Sequence, residues 1–259
     1  MQLERKRVII TGGSSGIGQA LAMEAAARGA HLLLVGRRRE ALERTLAQLP
    51  GTGHMAVAAD VTRPEDRARL MALVRQSWGG LDILVNNAGV VPVGPILKTS
   101  DADLETTVLT NLVAPITLCR EAIPLLLRGQ RPRIVNIGSV LGDIPYPLFA
   151  TYSATKSGLR GFSIALRREL APMGIGVTYA APRATRTAAS ASLVSLIKPF
   201  NMTLDAPQKV AKLVWGAVMR EANSVYPKGP ERLFVLLQRL IPHLVDKSIA
   251  KQLSRVGVR

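Results

Sequence analysis

Short apolar runs alternate with longer amphipathic stretches along most of the chain. The apolar runs predict strands at residues 7–11, 31–35, 54–58, 81–85, 133–137, 175–179 and 225–226. Apolar residues at helical spacing predict helices at residues 15–28, 40–49, 64–77, 102–127, 151–170 and 207–220, the fourth of them kinked at Pro115 and Pro124. Apolar strands separated by helices are buried on both faces. The pattern therefore predicts an α/β fold, a doubly wound parallel sheet with helices on both faces.

Two segments depart from this alternation. Residues 188–206 have the least regular pattern and precede the helix at 207, which indicates a flap over a substrate site. Residues 230–259 form a C-terminal extension, in which aliphatic residues and cationic residues are interleaved on both sides of Pro242. That spacing predicts two amphipathic cationic helices. Because the chain has no linker, internal repeat or low-complexity tract, we expect residues 1–259 to form a single domain.

The composition narrows the function classes. The chain has 259 residues, of which 47% are hydrophobic and 20% charged, as in a packed globular protein. A single cysteine excludes an intramolecular disulfide, and three scattered histidines suggest no zinc motif, so no metal is expected. Aromatic residues make up only 4%, which argues against a stacking platform for nucleic acid. The N-terminus lacks a signal-peptide pattern and no apolar run is long enough to span a bilayer, which predicts a cytoplasmic protein.

The net charge of +16 leaves three uses open for the C-terminal helices. In the first, they pack on the body of the protein or on a second copy, within a homo-oligomer such as a dimer or tetramer. In the second, they cover a substrate crevice as an apolar wall. In the third, they lie on an anionic membrane surface, which makes the protein membrane-peripheral. The last two uses suit an apolar or lipid-like substrate.

A glycine-rich turn separates the first strand from the first helix. Glycines at positions 12, 16 and 18 let the backbone turn tightly, approach a pyrophosphate and pack the helix on the sheet. The helix N-terminus adds N–H groups and a positive dipole. The strand–turn–helix context therefore predicts a dinucleotide site, with candidate contacts at Gly12, Ser14, Ser15, Gly16, Ile17 and Gly18.

The end of the second strand indicates which dinucleotide is bound. An acidic residue there usually holds the free ribose 2′-hydroxyl of NAD. This chain has Arg37 and Arg38 after Gly36, and the first acidic residue after this strand is Glu40. A guanidinium pairs with a 2′-phosphate, whereas a carboxylate repels it. The arginines therefore favour NADP (NADPH) over NAD as the cofactor.

Three residues carry the candidate chemistry. Tyr152 and Lys156 are four residues apart on one helix face, so both can point at one ligand. A free tyrosine titrates near pH ~10, and a neighbouring cation lowers that pKa toward neutrality. We expect Lys156, together with the positive charge of an oxidised nicotinamide, to do this. Ser139 ends the fifth strand, where its hydroxyl can hydrogen-bond a substrate carbonyl oxygen.

Together these features resemble the short-chain dehydrogenase/reductase family, whose fold is Rossmann-type. The resemblance covers residues 7 to about 220 and follows the family's motif order. It depends on Thr11–Gly18, Asp60, Val61, Asn86, Asn87, Ala88, Gly89, Asn111, Ser139, Tyr152 and Lys156.

The family resemblance implies a role for each matching position. Asp60 and Val61 are expected near the adenine, and the turn at Asn87, Ala88 and Gly89 is expected to shape the cofactor site. The alternatives are a surface acid or cap for Asp60 and a purely structural turn for the asparagines.

The same resemblance assigns the catalytic roles. It implies that Ser139 orients the carbonyl, Tyr152 transfers the proton and Lys156 binds the nicotinamide ribose. Asn111 is expected to hold a water that relays protons to Lys156, or else to be a polar helix residue facing water.

One position departs from the family pattern. After the sixth strand the family usually has Pro-Gly followed by Thr, and here Pro182 and Thr187 fit but Arg183 replaces the glycine. If that position needs a positive φ, the arginine is strained. Alternatively, Arg183 reshapes the nicotinamide end of the site or contacts an anionic group of the substrate.

These observations predict an NADP(H)-dependent oxidoreductase that interconverts a carbonyl and a secondary alcohol. Hydride passes between the nicotinamide and a small-molecule substrate, with Tyr152 as general acid/base. The alternative is a catalytically silent NADP-binding regulatory or scaffold protein of the same fold. The walls of the pocket, expected from residues 140–150, 183–206 and the C-terminal helices, would indicate the substrate class.

Overall fold

The computed structural model describes residues 1–254, apart from the side chains of residues 189, 191 and 192. Within them, one sheet has the strand order β3-β2-β1-β4-β5-β6-β7, and every neighbouring pair is parallel. This confirms the predicted α/β class and doubly wound sheet. The strands are β1 (Arg7–Thr11), β2 (His31–Gly36), β3 (Met55–Ala58), β4 (Ile83–Asn86), β5 (Arg133–Ile137), β6 (Gly176–Ala180) and β7 (Ser224–Val225).

Helices cover both faces of this sheet. Alternate residues of the central strands point to opposite faces, so each strand contributes apolar side chains to two separate cores. One core packs on α1 and α8, and the other on α3, α5 and α6. The helices are α1 (Gly16–Ala26), α2 (Arg39–Leu46), α3 (Pro64–Trp78), α4 (Asp101–Val108), α5 (Ala114–Leu126), α6 (Ala150–Leu170), α7 (Val194–Ile197), α8 (Pro207–Met219), α9 (Glu231–Leu240) and α10 (Pro242–Leu253).

The helical stretch at 101–126 is irregular where the sequence did not predict it. A π-helical segment, Leu109–Val113, joins α4 to α5, and α5 continues through Pro124. Pro115 has no N–H to donate to the carbonyl of residue 111, and its ring crowds that carbonyl, so the preceding turn widens. Pro115 therefore changes the helix one turn before the position where the kink was predicted, and α5 is not interrupted at Pro124. The stretch is long and apolar enough to cross a membrane by length and composition, but its α5 half packs into a core of this structure.

The order of the strands changes direction between β1 and β4, which lie side by side at the centre of the sheet. In open parallel sheets, ligands bind in the crevice outside the carboxyl ends of the strands at such a point. The turns after β1, β4 and β5 all open at this edge.

The C-terminal extension forms the hairpin of α9 and α10, which we call the C-terminal hairpin. It rests on the body through Val235 and Val245, which pack with Ile144 in a small apolar cluster. Residues 255–259, the end of the predicted extension, lie outside the described residues. The predicted flap contains a short 3₁₀ segment, Ala188–Leu193, and then α7.

Candidate active site

A cavity of about 730 Å³ runs along the carboxyl edge of the sheet from the glycine turn to the C-terminal hairpin. Its volume is typical of a site for a small molecule or cofactor. Of the predicted site residues, those in the cavity wall are Gly12, Ser14, Ser15, Gly16, Ile17, Arg37, Arg38, Asp60, Val61, Asn87, Ala88, Gly89, Ser139, Tyr152, Lys156, Pro182 and Thr187. Gly18 and Asn111 lie behind the wall, so their contribution is to hold other residues in place.

The glycine turn is shaped by backbone contacts that leave no space for side chains. Gly12 adopts a φ of +66°, which favours glycine. A Cβ at Gly18 would lie only 2.1 Å from the Gly12 carbonyl oxygen. Because α1 begins immediately after this turn, its N-terminal N–H groups face the cavity.

The turn after β4 is bonded to the glycine turn. Asn87 Nδ2 donates to the carbonyl oxygens of Thr11, at 2.8 Å, and of Gly12, at 3.3 Å. In return, the Thr11 hydroxyl accepts from the backbone N–H groups of Asn87 and Ala88, both at 3.0 Å. These bonds hold two separate walls of the cavity together. By contrast, Asn86 points into the core, where it donates to Cys119 Sγ and Asn136 Oδ1.

Arginines line the cavity at the end of β2. The side chains of Arg37 and Arg38 are exposed and border the cavity beside Asp60. Burial raises the pKa of the Asp60 carboxyl, but hydrogen bonds from Thr62 and the nearby charge of Arg37 outweigh it, so the pKa lies below its ordinary value. Asp60 Oδ1 accepts from the Thr62 N–H at 3.0 Å and from its hydroxyl at 2.7 Å. Asp60 thus caps its own turn and also faces the cavity, which combines two of the alternatives considered for it.

Ser139, Tyr152 and Lys156 meet near the middle of the cavity. Ser139, at the end of β5, lines the cavity together with Tyr152, and its hydroxyl is close enough to oppose the rise in the Tyr152 pKa. The same hydroxyl accepts from the Leu141 N–H at 3.1 Å. Lys156 follows Tyr152 by one helical turn of α6, and its Nζ lies 5.6 Å from the centroid of the Tyr152 ring. Lys156 Nζ also donates to the Ile137 carbonyl oxygen at 2.9 Å. The three side chains therefore form one connected group on rigid elements.

Burial dominates the electrostatics of this group in the protein alone. It raises the pKa of Tyr152 to about 12, although the nearby Ser139 hydroxyl opposes the shift. Burial also lowers the pKa of Lys156 to about 8. Lys156 by itself therefore does not bring the Tyr152 pKa toward neutrality, because both groups are desolvated at the same point. The prediction included the positive charge of an oxidised nicotinamide, and it stays a prediction.

Asn111 is fully buried and faces the protein, which excludes the alternative of a helix residue facing water. Its Oδ1 accepts from the Val90 N–H and its Nδ2 donates to the Val90 carbonyl, both at 2.8 Å. It lies in the π-helical segment, whose widened turn carries the side chain toward the chain after β4. Asn111 therefore fixes the turn beside Gly89 and Lys156, and its part in a proton relay stays a prediction.

Arg183 is not strained. Its φ is not among the positive values found in residues 1–254, so the expectation of backbone strain at this position is wrong. Its guanidinium binds Asp205 through two bonds, Nε to Oδ2 at 2.8 Å and Nη2 to Oδ1 at 3.1 Å. Nη1 donates to Glu231 at the start of α9. We call Arg183, Asp205 and Glu231 the latch, because they connect the segment after β6, the end of the flap and the C-terminal hairpin.

Comparison with known proteins identifies this arrangement. The short chain dehydrogenase family model (adh_short) matches residues 6–196, well over half of the chain. The chain belongs to the short-chain dehydrogenase family. The family is one of oxidoreductases, and the match includes the glycine turn, Ser139, Tyr152 and Lys156.

Named relatives of this dehydrogenase include two vertebrate proteins. "Carbonyl reductase family member 4" of Danio rerio is 34% identical over 71% of this chain and 78% of its own. A "3-oxoacyl-[acyl-carrier-protein] reductase" of Bos taurus is 36% identical over 67% of this chain and 73% of its own. A solved structure, the 3-ketoacyl-(acyl-carrier-protein) reductase of Brucella melitensis complexed with NADH, superposes with a TM-score of 0.80 at 27% identity, covering 86% of this chain and 96% of that one.

Sequence reasoning missed the individual residues that form the far wall of the cavity in this dehydrogenase. The rings of Tyr146 and Phe200 meet edge-to-face at 5.4 Å, and Phe149 is buried beside them. The Tyr146 hydroxyl donates to Gln252 Oε1 on α10 at 3.3 Å. These aromatic residues come from segments without a motif, so the only available signal was that residues 140–150, 183–206 and the C-terminal helices were expected to border the pocket.

The C-terminal hairpin supplies the rest of this wall. Its cavity-lining side chains are mostly apolar: Phe234, Leu237, Leu244, Val245 and Ile249. All of them lie beyond residue 196, where the family match ends. The cavity therefore has one end made of family motifs and another end made largely of residues outside the match. Within residues 1–254, no three His, Cys, Asp or Glu side chains converge as a metal site would require.

Proposed function

We propose that this protein is an NADP(H)-dependent oxidoreductase that interconverts a carbonyl and a secondary alcohol. The observation that carries the proposal is that Ser139, Tyr152 and Lys156 lie together in the wall of the cavity that the glycine turn enters, with Lys156 Nζ 5.6 Å from the centroid of the Tyr152 ring. Such a cavity has room for a hydride donor directly beside the carbon of a carbonyl group whose oxygen faces the two hydroxyl groups. The family supplies the reaction type, and these residues supply its proton chemistry.

The cavity fits a dinucleotide at its glycine end. A Cβ at Gly16 would lie 2.9 Å from Thr187 Cγ2, so glycine is needed there for Thr187 to keep its place in the cavity wall. The N–H groups at the start of α1 suit a pyrophosphate. Asp60 and Val61 would hold the adenine end, and Pro182 and Thr187 would flank the nicotinamide end. When bound, the cofactor supplies the hydride.

NADP is proposed over NAD because Arg37 and Arg38 border the place where the 2′ position of the ribose would lie. The structure of the Brucella relative is a complex with NADH. The proposed preference of this protein for NADP is therefore tested by comparing its binding of the two cofactors. Isothermal titration should show that NADP binds more tightly than NAD. Arg37→Asp should abolish that preference, and Arg44→Asp, on the exposed side of α2, should leave it unchanged. Tighter binding of NAD by the unaltered protein would refute the proposed specificity.

The proton chemistry follows from the positions of the three side chains. Ser139 and Tyr152 line the same part of the cavity, and a carbonyl oxygen bound there would accept from both hydroxyl groups. Because burial raises the pKa of Tyr152 to about 12, the phenol is protonated at neutral pH and ready to donate as the carbonyl is reduced. Lys156 then stabilises the phenolate that remains, and its position is held by the Ile137 carbonyl.

The substrate end suits a bulky apolar carbonyl compound. Phe149 and Phe200 line it from one side, and Phe234, Leu237 and Leu244 from the other. Ser139 and Tyr152 supply polar groups where the reacting oxygen would lie, and Arg183 and Glu231 of the latch add charged groups to the wall. An apolar chain or ring system gains about 25 cal/mol for each Å² of its surface that it buries against such walls.

The activity is tested with a panel of ketones and aldehydes and NADPH. Tyr152→Phe should lower turnover by 10² to 10⁴, the range expected for loss of a general acid, while NADPH binding persists. Tyr226→Phe makes the same change outside the cavity and should leave turnover within about twofold. If the unaltered protein binds NADPH but reduces no carbonyl, it is the alternative, a catalytically silent NADP-binding protein.

A homo-oligomer is also proposed, through the α4–α5 side of the molecule. Leu104, Leu109 and Val113 are exposed along this helical stretch, between 38% and 44% of their surface, and Ile96 and Leu97 are exposed just before it. An apolar patch on this scale marks an interface more often than bare surface. Analytical ultracentrifugation should show a dimer or tetramer that Leu109→Asp dissociates.

A further inference from the structure

A second cavity lies behind α9, outside the active site. It has a volume of about 500 Å³ and is lined by five arginines, which we call the arginine recess: Arg160, Arg167, Arg168, Arg232 and Arg239. Arg160, Arg167 and Arg168 project from α6, while Arg232 and Arg239 project from α9. The recess therefore lies between the body of the protein and the C-terminal hairpin.

The positive charge of this recess exceeds what the neighbouring acids neutralise. Asp143 pairs with Arg160 at 2.9 Å and with Arg239 at 3.1 Å. In the part of the chain that the structure describes, no carboxylate lies within ion-pair distance of Arg167, Arg168 or Arg232. Several guanidinium groups around one concavity form a site for phosphate-bearing groups.

An exposed apolar stripe lies beside the recess on the same helix. Leu233, Leu236 and Leu240 are spaced to share one face of α9, and they are exposed by 57%, 51% and 69%. Val235, on another face, is buried against the body. On α9, arginines thus flank leucines that project outward, as in helices that lie in the interface of an anionic bilayer.

The other flank of α9 forms the rim of the active-site cavity. Phe234 and Leu244 line that cavity and are also 47% and 49% exposed. An apolar molecule that leaves a surface in contact with the leucines of α9 would reach these two side chains first. The substrate end of the active site is therefore continuous with the exposed face of the C-terminal hairpin.

We propose that the C-terminal hairpin docks the protein on an anionic phospholipid surface. Leucines of α9 enter the interface, lipid phosphates occupy the arginine recess, and the apolar substrate passes from the bilayer over Phe234 and Leu244 into the cavity. The delivery step rests on the proposed function, whereas the docking itself does not.

Charge and shape favour a membrane over two other occupants of this face. A second copy bound through the same face would bring two arginine recesses together, and like charges there repel. A nucleic acid would satisfy the arginines but leave the leucine stripe in water. An anionic bilayer matches both features at once.

The test is co-sedimentation of the full chain with vesicles. Vesicles of phosphatidylcholine mixed with phosphatidylglycerol should bind the protein, and vesicles of phosphatidylcholine alone should bind it much less. Arg168→Glu combined with Arg232→Glu should weaken binding at least tenfold, since each arginine near the surface contributes about 1 kcal/mol, roughly fivefold in affinity. Arg44→Glu combined with Arg75→Glu makes the same charge change on α2 and α3 and should bind as the unaltered protein does.

The apolar contribution has its own variants. Leu236→Ser combined with Leu240→Ser should weaken vesicle binding severalfold, while Leu127→Ser, at a leucine exposed by 53% elsewhere, should not. The proposal is overturned if the two arginine pairs behave alike, since net charge alone then explains binding. It is also overturned if the leucine pair binds normally while inorganic phosphate saturates the recess, which would show a soluble-phosphate site.

Reduction of a short water-soluble ketone, measured without vesicles, separates this proposal from the proposed function. The Arg168/Arg232 and Leu236/Leu240 double variants should leave that rate unchanged and should be slower than the unaltered protein only on a long-chain ketone carried in the vesicles. Vesicle binding that responds to the variants, without any turnover, would refute the proposed function and keep the docking. Turnover without vesicle binding would refute the docking and keep the function.

Discussion

The two ends of the active-site cavity are held by different kinds of contact. At the cofactor end, backbone atoms touch directly, and Asn87 bonds to the carbonyl oxygens of two residues in the glycine turn. At the substrate end, side chains from distant parts of the chain are joined in pairs, above all in the latch around Arg183. The first end belongs to the family match and the second lies largely beyond it. The chemical centre is thus built from the family's motifs, and the substrate wall is built largely from residues outside the match.

The largest expected effect is at the cofactor end, where the backbone leaves no space. Gly18→Ala places a Cβ 2.1 Å from the Gly12 carbonyl oxygen, so the turn must move. We expect a loss of about 3 kcal/mol in the free energy of unfolding and loss of NADPH binding, measured by denaturant titration and calorimetry.

A matched control for this change exists in another helix. Gly161 lies in α6, with nothing within 4 Å of the position its Cβ would take. Gly161→Ala should therefore stabilise the protein by up to about 1 kcal/mol. If both alanine substitutions change the free energy of unfolding in the same direction, steric closeness at the glycine turn is not what distinguishes the two sites.

The next largest effect is at the latch. Arg183→Ala removes the arginine that two largely buried carboxylates, Asp205 and Glu231, share. We expect it to cost about 2 kcal/mol of unfolding free energy. It should also raise KM for bulky carbonyl substrates while sparing kcat for small ones. Lys209→Ala removes an exposed partner of the same Asp205 and should cost under about 0.5 kcal/mol. Equal costs for the two variants would show that the latch does not hold the hairpin.

The latch should also give the protein a dependence on acid. Burial raises the pKa of Asp205, but hydrogen bonds from Arg183 and Lys209 outweigh it and hold the pKa below its ordinary value. A depressed carboxyl pKa stabilises the folded state above the unfolded value, about 4, and that stability is lost as pH falls through the folded value. Asp205→Asn should therefore have a lower free energy of unfolding than the unaltered protein at neutral pH, and this difference should shrink below pH ~4. A difference that grows in acid would contradict this assignment.

The smallest effect concerns the contact between the cavity wall and α10. Tyr146→Phe removes a hydrogen bond to Gln252 but keeps the ring packed against Phe200. We expect a loss of 0.5–1 kcal/mol in unfolding free energy and at most a twofold change in KM. Phe200→Ala removes the apolar contact and should cost several times more. A larger effect from the tyrosine variant would mean that the hairpin is held by this bond and not by packing.

Prediction from the sequence succeeded where a property is local. The strands and the longer helices were found within a few residues, because burial on both sheet faces leaves a continuous apolar pattern. Arg183 shows where local reasoning failed. The sequence left open a strained residue, a reshaped nicotinamide end and a contact to the substrate, whereas the partners that give Arg183 a role are 22 and 48 residues away.

The amino-acid order alone determined the sheet, the glycine turn, and the placement of Tyr152 and Lys156 on one helix face. Each of these depends on spacing within a short stretch, where backbone geometry converts sequence distance into position. The tertiary structure decided the pKa of Tyr152, the role of Arg183, the aromatic wall and the arginine recess. These depend on desolvation and on pairing between segments far apart in the chain, and no spacing along the sequence specifies which of many such segments will meet.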